Sequence, residues 1–267
     1  KVSEFNNVEI ISKNSNISSD IKFEKLAFGL GEIPEKNVFQ NSNNKFKIET
    51  TTTCEDLQII YNFDEDNFEL INYLEIIANG KVNVTILYKS NTNKPCFHNG
   101  IIKLKANENA NVTISVINLL NDKSTNLESF ESFLERDSKV NYTIVDLGGN
   151  ISISNYYSNL IGENSKNNLK AIYLGIENQI KDINYISELR GEKTFVNIDV
   201  QGALKDKSKK NFKGTIEFKK GCKKAKGNEN EYCMMLSKDA KSIALPMLLC
   251  SEDDVEGEHS SASGRVD

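Results

Sequence analysis

The residues able to do chemistry are few. Histidine occurs twice and cysteine five times in 267 residues. His259 follows an acidic run that holds Glu252, Asp253, Asp254, Glu256 and Glu258. A neutral imidazole binds metal near pH 7. A neighbouring carboxylate stabilises its charged form or hydrogen-bonds its second nitrogen. Cys233, in NEYCMML, has two readings: a small apolar residue packed inside the fold, or a thiolate ligand. Cys222 lies in a lysine-rich turn, where positive charge lowers a thiol pKa and leaves an exposed sulfur. Cys250 follows the apolar run ALPMLL and reads as buried. Cys96-Phe97-His98 is a C-x-H without a second ligand pair. Widely spaced cysteines, odd in number and without C-x-x-C, argue against a disulfide framework and a structural zinc site. The sequence contains no P-loop, G-x-S-x-G or Rossmann glycine pattern, so nothing in it points to catalysis.

Composition bounds the class. With 38% hydrophobic and 27% charged residues, the chain can bury a core. A net charge of −5 gives no reason to expect a nucleic-acid partner. No apolar run approaches the ~18 residues of a membrane span. The opening KVSEFNNVEI is not a signal peptide, and reduced thiols point to the cytoplasm. Charge is unevenly spread, with ten lysines between Lys205 and Lys226. Solvated turns explain that run, and a docking surface is the alternative.

From Ile101 onward one pattern repeats. Runs such as VTISVINLL, VNYTIVDL, LKAIYLGI, FVNIDVQGAL and FKGTIEF alternate apolar and polar residues, the period of half-buried strands. Polar turns such as NENAN, ERDSK, GENSKNN and KDKSKKN separate them. Equivalent strand starts near Val112, Val140, Leu169 and Phe195 recur at the interval of one solenoid coil, each holding two or three strands. A sandwich or barrel also has many short strands, but only Asn79-Gly80 and Asn99-Gly100 offer its tight hairpin turns. The expected fold is therefore all-β, a β-solenoid with a less regular N-terminal segment. Residues 1–44 read as an irregular entry segment and 45–267 as the solenoid core. ISSDIKFEKLAFGLGEI, within the entry segment, reads as a short helix or as a strand and turn.

The last third adds a resemblance. F-x-G-x-I at Phe212, Gly214 and Ile216 is followed by a glycine turn from Gly221 to Gly227. Then come M-L-S at Met235–Ser237, Ile243 with Pro246, and V-x-x-x-H-x-x-x-x-G-x-V-D from Val255 to Asp267. In this order and spacing the segment resembles the SufB/SufD scaffold proteins of iron–sulfur cluster assembly. FLERDSKVNYTIVDLGG extends the likeness upstream, to about Ile101. Ser260 after the histidine, where SufB-like chains carry Glu, places the sequence nearer the SufD-like branch. Gly257 stands where that branch often has a cysteine, so a role resting on that thiol does not carry over.

The resemblance implies a right-handed parallel β-helix, with a helical partner-docking segment expected after Asp267, where the sequence stops. It implies a non-catalytic scaffold of the SUF machinery, paired with a SufB/SufD-type subunit as a hetero- or homodimer. ATP hydrolysis then belongs to a SufC-type ABC ATPase partner. It implies a transient Fe–S cluster shared across the subunit interface, with His259, Cys233 and Glu258 as the metal contacts. Aligned on M-L-S, Cys233 falls two residues downstream of a cysteine that SufB-like members use for the nascent cluster. The segment from Tyr232 to Val255 is the expected contact surface. The rival reading is a secreted or surface β-solenoid binding carbohydrate or a host protein, which exposed aromatic stripes and an export signal would favour.

Overall fold

A computed structural model describes residues 3–24, 31–51 and 54–265. Positions 25–30 of the ambiguous entry stretch, and Val266 and Asp267 of the terminal motif, lie outside the described residues. The chain opens with short strands β1 (Val8–Ile11) and β2 (Asn16–Ser18) and helix α1 (Glu32–Asn41). It then enters the repeat with β3 (Asn44–Glu49), β4 (Glu55–Phe63) and β5 (Glu69–Ala78). Next come β6 (Lys81–Ser90), β7 (Phe97–Ala106), β8 (Asn111–Leu119) and β9 (Thr125–Leu134). β10 (Lys139–Asp146), β11 (Ile151–Leu160), β12 (Lys166–Gly175) and β13 (Ile180–Leu189) follow. The last coils are β14 (Phe195–Leu204), β15 (Lys209–Phe218), β16 (Ala225–Met235), β17 (Lys241–Cys250) and β18 (Val255–Arg265).

From β4 onward even-numbered strands pair in parallel with even, and odd with odd, giving two nine-stranded sheets. This is a parallel β-helix of about eight turns. Each coil contributes one strand to each sheet, so the interval read from the sequence holds two strands. Val112, Val140, Asn167, Val196 and Gly227 stack in register. The sequence-based starts at Leu169 and Phe195 therefore fall two residues beyond and one residue before the true position.

Corners are fixed by backbone geometry. Asn109, Asp137, Asn164, Lys193 and Lys224 adopt positive φ at successive turns from odd to even strands. Their N–H groups donate to carbonyls of the next coil: Asp137 to Glu163, Asn164 to Glu192 and Lys193 to Lys223. A Cβ at Gly162 would collide with the Arg136 backbone, so glycine is what lets these turns stack.

The interior mixes aromatic and polar residues. Tyr61, Tyr88, Tyr142, Tyr156 and Tyr185 are all fully buried. His98 lies between Asn72 and Asn126, its ring nitrogens 2.7 and 2.6 Å from their side-chain oxygens. Burial lowers its pKa to about 4, so the imidazole is neutral. A neutral ring has only one N–H. One of the two asparagines must therefore turn its NH2 to the ring. Both amides also reach hydroxyls, Asn126 that of Ser152 at 3.2 Å and Asn72 that of Tyr88 at 3.4 Å. Cys96 is buried beside this arrangement, and the C-x-H pair forms no metal site.

The N-terminal end is closed over. β1 pairs antiparallel with β4 and β2 with β3. Helix α1 lies on the outer face of β5 and β7. There the buried Glu35 accepts from the Tyr73 hydroxyl at 2.9 Å and pairs with Lys103 at 3.1 Å. The entry segment thus contains a helix that its weak apolar pattern did not reveal.

Candidate site at the open end of the solenoid

The C-terminal end has no such cover. β17 ends one sheet and β18 the other, each paired on one side only among the described residues. Such edges present free backbone donors and acceptors to another chain. Pro246, which cannot donate to a ladder, is tolerated because β17 is an edge strand.

Strand alternation decides which side chains face the end of the core. On β16 the inward residues are Glu229, Glu231 and Cys233, all buried. On β18 their register partners are His259, Ser261 and Ser263, all exposed because no further coil lies over them. His259 therefore sits at the mouth of the interior, next to Glu229. Glu258, one residue earlier, points to the outer face. Cys233 lies four positions along β16 from the residue beside His259, roughly 13 Å away along the strand. The structure does not bring His259, Cys233 and Glu258 together. Among the described residues no three His, Cys, Asp or Glu side chains are placed to hold a metal ion.

What surrounds these residues is polar and buried. Lys210, reaching inward from β15, donates to Glu231 at 2.5 Å, with both side chains at most 1% exposed. The other Glu231 oxygen accepts from the Ser261 hydroxyl at 2.8 Å, which ties the pair to the last strand. The Tyr173 hydroxyl approaches the same carboxylate at 3.5 Å. Glu229 differs: its two carboxylate oxygens are buried without a hydrogen-bond partner. Desolvation raises its pKa to about 7. Gly214 makes room for that carboxylate, and a Cβ there would collide with it. Lys210, Glu229 and Glu231 were missed in the sequence. The available signal was a charged residue at an inward position of an alternating strand, as in KKNFKGTIEF.

Two cysteine expectations are corrected here. Cys222 is fully buried, and burial pushes its thiol pKa up, with Glu252 adding to the effect. The lysines of its turn point elsewhere. Cys250 is exposed, because among the described residues β17 is paired on one side only. Cys233 is 3% exposed, as the packed reading expects, yet it lines a groove of about 480 Å³ with Gly202, Tyr232, Met234 and Gly264.

The outer face changes character at the last coil. In register, Asn211, Lys213, Thr215 and Glu217 of β15 give way to Ile243, Leu245, Met247 and Leu249 of β17. Those four side chains are 54, 52, 49 and 45% exposed. A contiguous apolar row on a free edge is the mark of an interaction surface.

Comparison with known proteins agrees with this geometry. Residues 61–267 match the family described as SUF system FeS cluster assembly, SufBD core domain. The chain belongs to the SufB/SufD family. It is 28% identical over 215 residues to the iron-sulfur cluster assembly protein SufD of Bacillus subtilis. That alignment covers 79% of this chain and 49% of the relative, so the chain spans about half of the relative's length. The SufBD core match begins near the end of β4 and takes in every strand from β5 to β18. No helix among the described residues is long and apolar enough to cross a membrane.

Proposed function

We propose that this chain is a non-catalytic scaffold subunit of the SUF iron–sulfur cluster assembly machinery, acting in the cytoplasm. It pairs through its last coil with a SufB/SufD-type subunit. ATP hydrolysis is supplied by a SufC-type ABC ATPase. The observation that carries the reading is the coincidence, on one coil, of two free strand edges and the apolar row Ile243, Leu245, Met247 and Leu249. His259, the histidine of the terminal V-x-x-x-H motif, opens on that same end.

The cluster is the cargo of this machinery, held mainly by thiolates with occasional imidazole or carboxylate ligands. His259 supplies an exposed imidazole at the interface, and Cys233 a thiol at the rim of a groove, one coil further in. Glu258, on the outer face, reaches iron only if a partner's surface wraps the edge of β18. With these donors dispersed, one subunit holds an incomplete ligand set and the partner completes it. A change in how the subunits pair would then assemble or release the set, which suits a carrier that must give up its cluster.

Anaerobic co-expression of the full-length chain with candidate scaffold and ATPase partners tests this. The complex should co-purify with iron and sulfide, and His259→Ala should lower the metal content while leaving the complex intact. Leu245→Lys with Met247→Lys should abolish pairing while the isolated subunit stays folded. A stable monomer that ignores those partners, or a complex that survives the double lysine change, overturns the proposal.

A further inference from the structure

The lysine-rich stretch is not a uniform solvated turn. Some surface lysines in and around it are matched. Lys193 pairs with Glu163 at 2.6 Å, Lys219 with Glu217 at 2.6 Å and Lys226 with Glu256 at 2.7 Å. Lys94 and Lys105, further up the solenoid, likewise pair with Glu65 and Glu135. At the corner where even strands turn into odd ones, the last coils instead gather unmatched cations in one place. Lys207, Lys209, Lys238, Lys241 and Arg265 line a single concavity of about 570 Å³, with Asp239 as its one carboxylate.

Among the described residues the arrangement concentrates positive charge, with Asp239 as the only carboxylate lining it. Among the described residues none of these five cations forms an ion pair, in contrast to the lysines just named. Lys209 and Lys241 are in register on adjacent parallel strands, so their stems start ~4.8 Å apart. Like charges side by side on a sheet repel. Arg265 is held in place by donating to the Lys238 carbonyl at 3.5 Å rather than to an acid. A concave site lined by one sign of charge focuses its field and raises the local concentration of the opposite ion.

From this juxtaposition we infer that the corner pocket binds a compact multivalent anion of the phosphate class, with Lys209 and Lys241 at its centre. A single carboxylate carries too little charge to offset five cations. The oxygens of a di- or triphosphate can accept from several ammonium groups and the guanidinium fork together. No aromatic ring lines the pocket, so recognition is of the phosphates and not of a base. The inference does not rest on the scaffold proposal, since it is argued from the cations of this corner and not from the apolar row of β17.

Titration calorimetry on the full chain at low ionic strength tests it, with inorganic pyrophosphate as the probe. Saturable binding is expected, weakened about tenfold by Lys209→Gln with Lys241→Gln, since each exposed pair contributes modestly. The control Lys193→Gln, which removes a lysine already paired with Glu163, should leave the affinity unchanged. Both sets of positions are exposed, and circular dichroism verifies that the variants are folded. Tripolyphosphate and a nucleoside triphosphate form a second arm. Equal affinity shows that phosphates alone are read, and tighter nucleotide binding places a nucleotide in the same site. Absence of saturable binding, equal loss in the control, or binding of poly-glutamate without pyrophosphate overturns the assignment.

Discussion

Removing one member of the Lys210–Glu231 pair should unsettle the end of the solenoid far more than removing both. The two side chains are 0 and 1% exposed and 2.5 Å apart. Truncating either leaves the other charge buried and uncompensated, a loss of ~3–5 kcal/mol. Lys210 keeps only the rings of Tyr173 and Phe212, about 6 Å away, if Glu231 is lost. Lys210→Met with Glu231→Leu removes both charges and fills similar volume, which is often neutral or stabilising. Here it also takes away the acceptor for Ser261 and Tyr173, ~1 kcal/mol each, so the net change should fall near zero to ~2 kcal/mol. Solenoid stability is approximately a sum over neighbouring coils, so the loss should concentrate where the pair sits. Hydrogen exchange across β15 and β16, together with urea unfolding, measures it. Each single variant should lose protection in those strands, and the double variant should recover most of it. A double variant as damaged as the two singles added together would refute the reasoning, because it would mean the charges are not coupled.

Stability should also respond to pH in a way set by the interior. Burial raises the Glu128 pKa from 4.5 to about 8, and lowers that of His98 from 6.5 to about 4. Between pH 4.5 and 6.5 the unfolded chain has released the Glu128 proton that the fold retains, which lowers stability as pH rises. Over the same window the unfolded chain holds a proton on His98 that the fold excludes, which raises stability as pH rises. The slopes oppose and largely cancel. Above pH 6.5 Glu128 acts without His98, and stability should fall by ~2 kcal/mol by pH 8, with Glu229 adding to the early part. Urea midpoints at the two pH values should show this fall in the wild type and a much smaller one in Glu128→Gln; a flat wild-type profile contradicts it. A third expectation concerns thiols. In the native monomer Cys54 and Cys250 should react readily with a thiol reagent, while Cys96, Cys222 and Cys233 react only after unfolding. Fast native labelling of Cys222 would restore the activated-thiol reading that its burial excludes.

The repeat was legible in the sequence because alternation in a solenoid is a local property. Runs such as VTISVINLL and FVNIDVQGAL place their apolar residues on one face wherever the strand lies, and polar turns space them by one coil. The terminal V-x-x-x-H motif likewise located His259, which the structure sets at the mouth of the interior. Burial at the ends of a stack is not local. Cys250 closes an apolar run that reads as core, yet it is exposed, since among the described residues β17 pairs with β15 alone. Cys222 stands among lysines that read as an exposed turn, yet the corner tucks its sulfur beneath them. Helix α1 escaped notice because it docks through a buried Glu35 to Lys103 and Tyr73, contacts that its own sequence does not announce. What the sequence determined by itself was the coil, since strand period and turn chemistry are written residue by residue. Only the tertiary structure decided that His259, Cys233 and Glu258 stand apart and that Lys210 finds Glu231. Those relations depend on which coil lies above which.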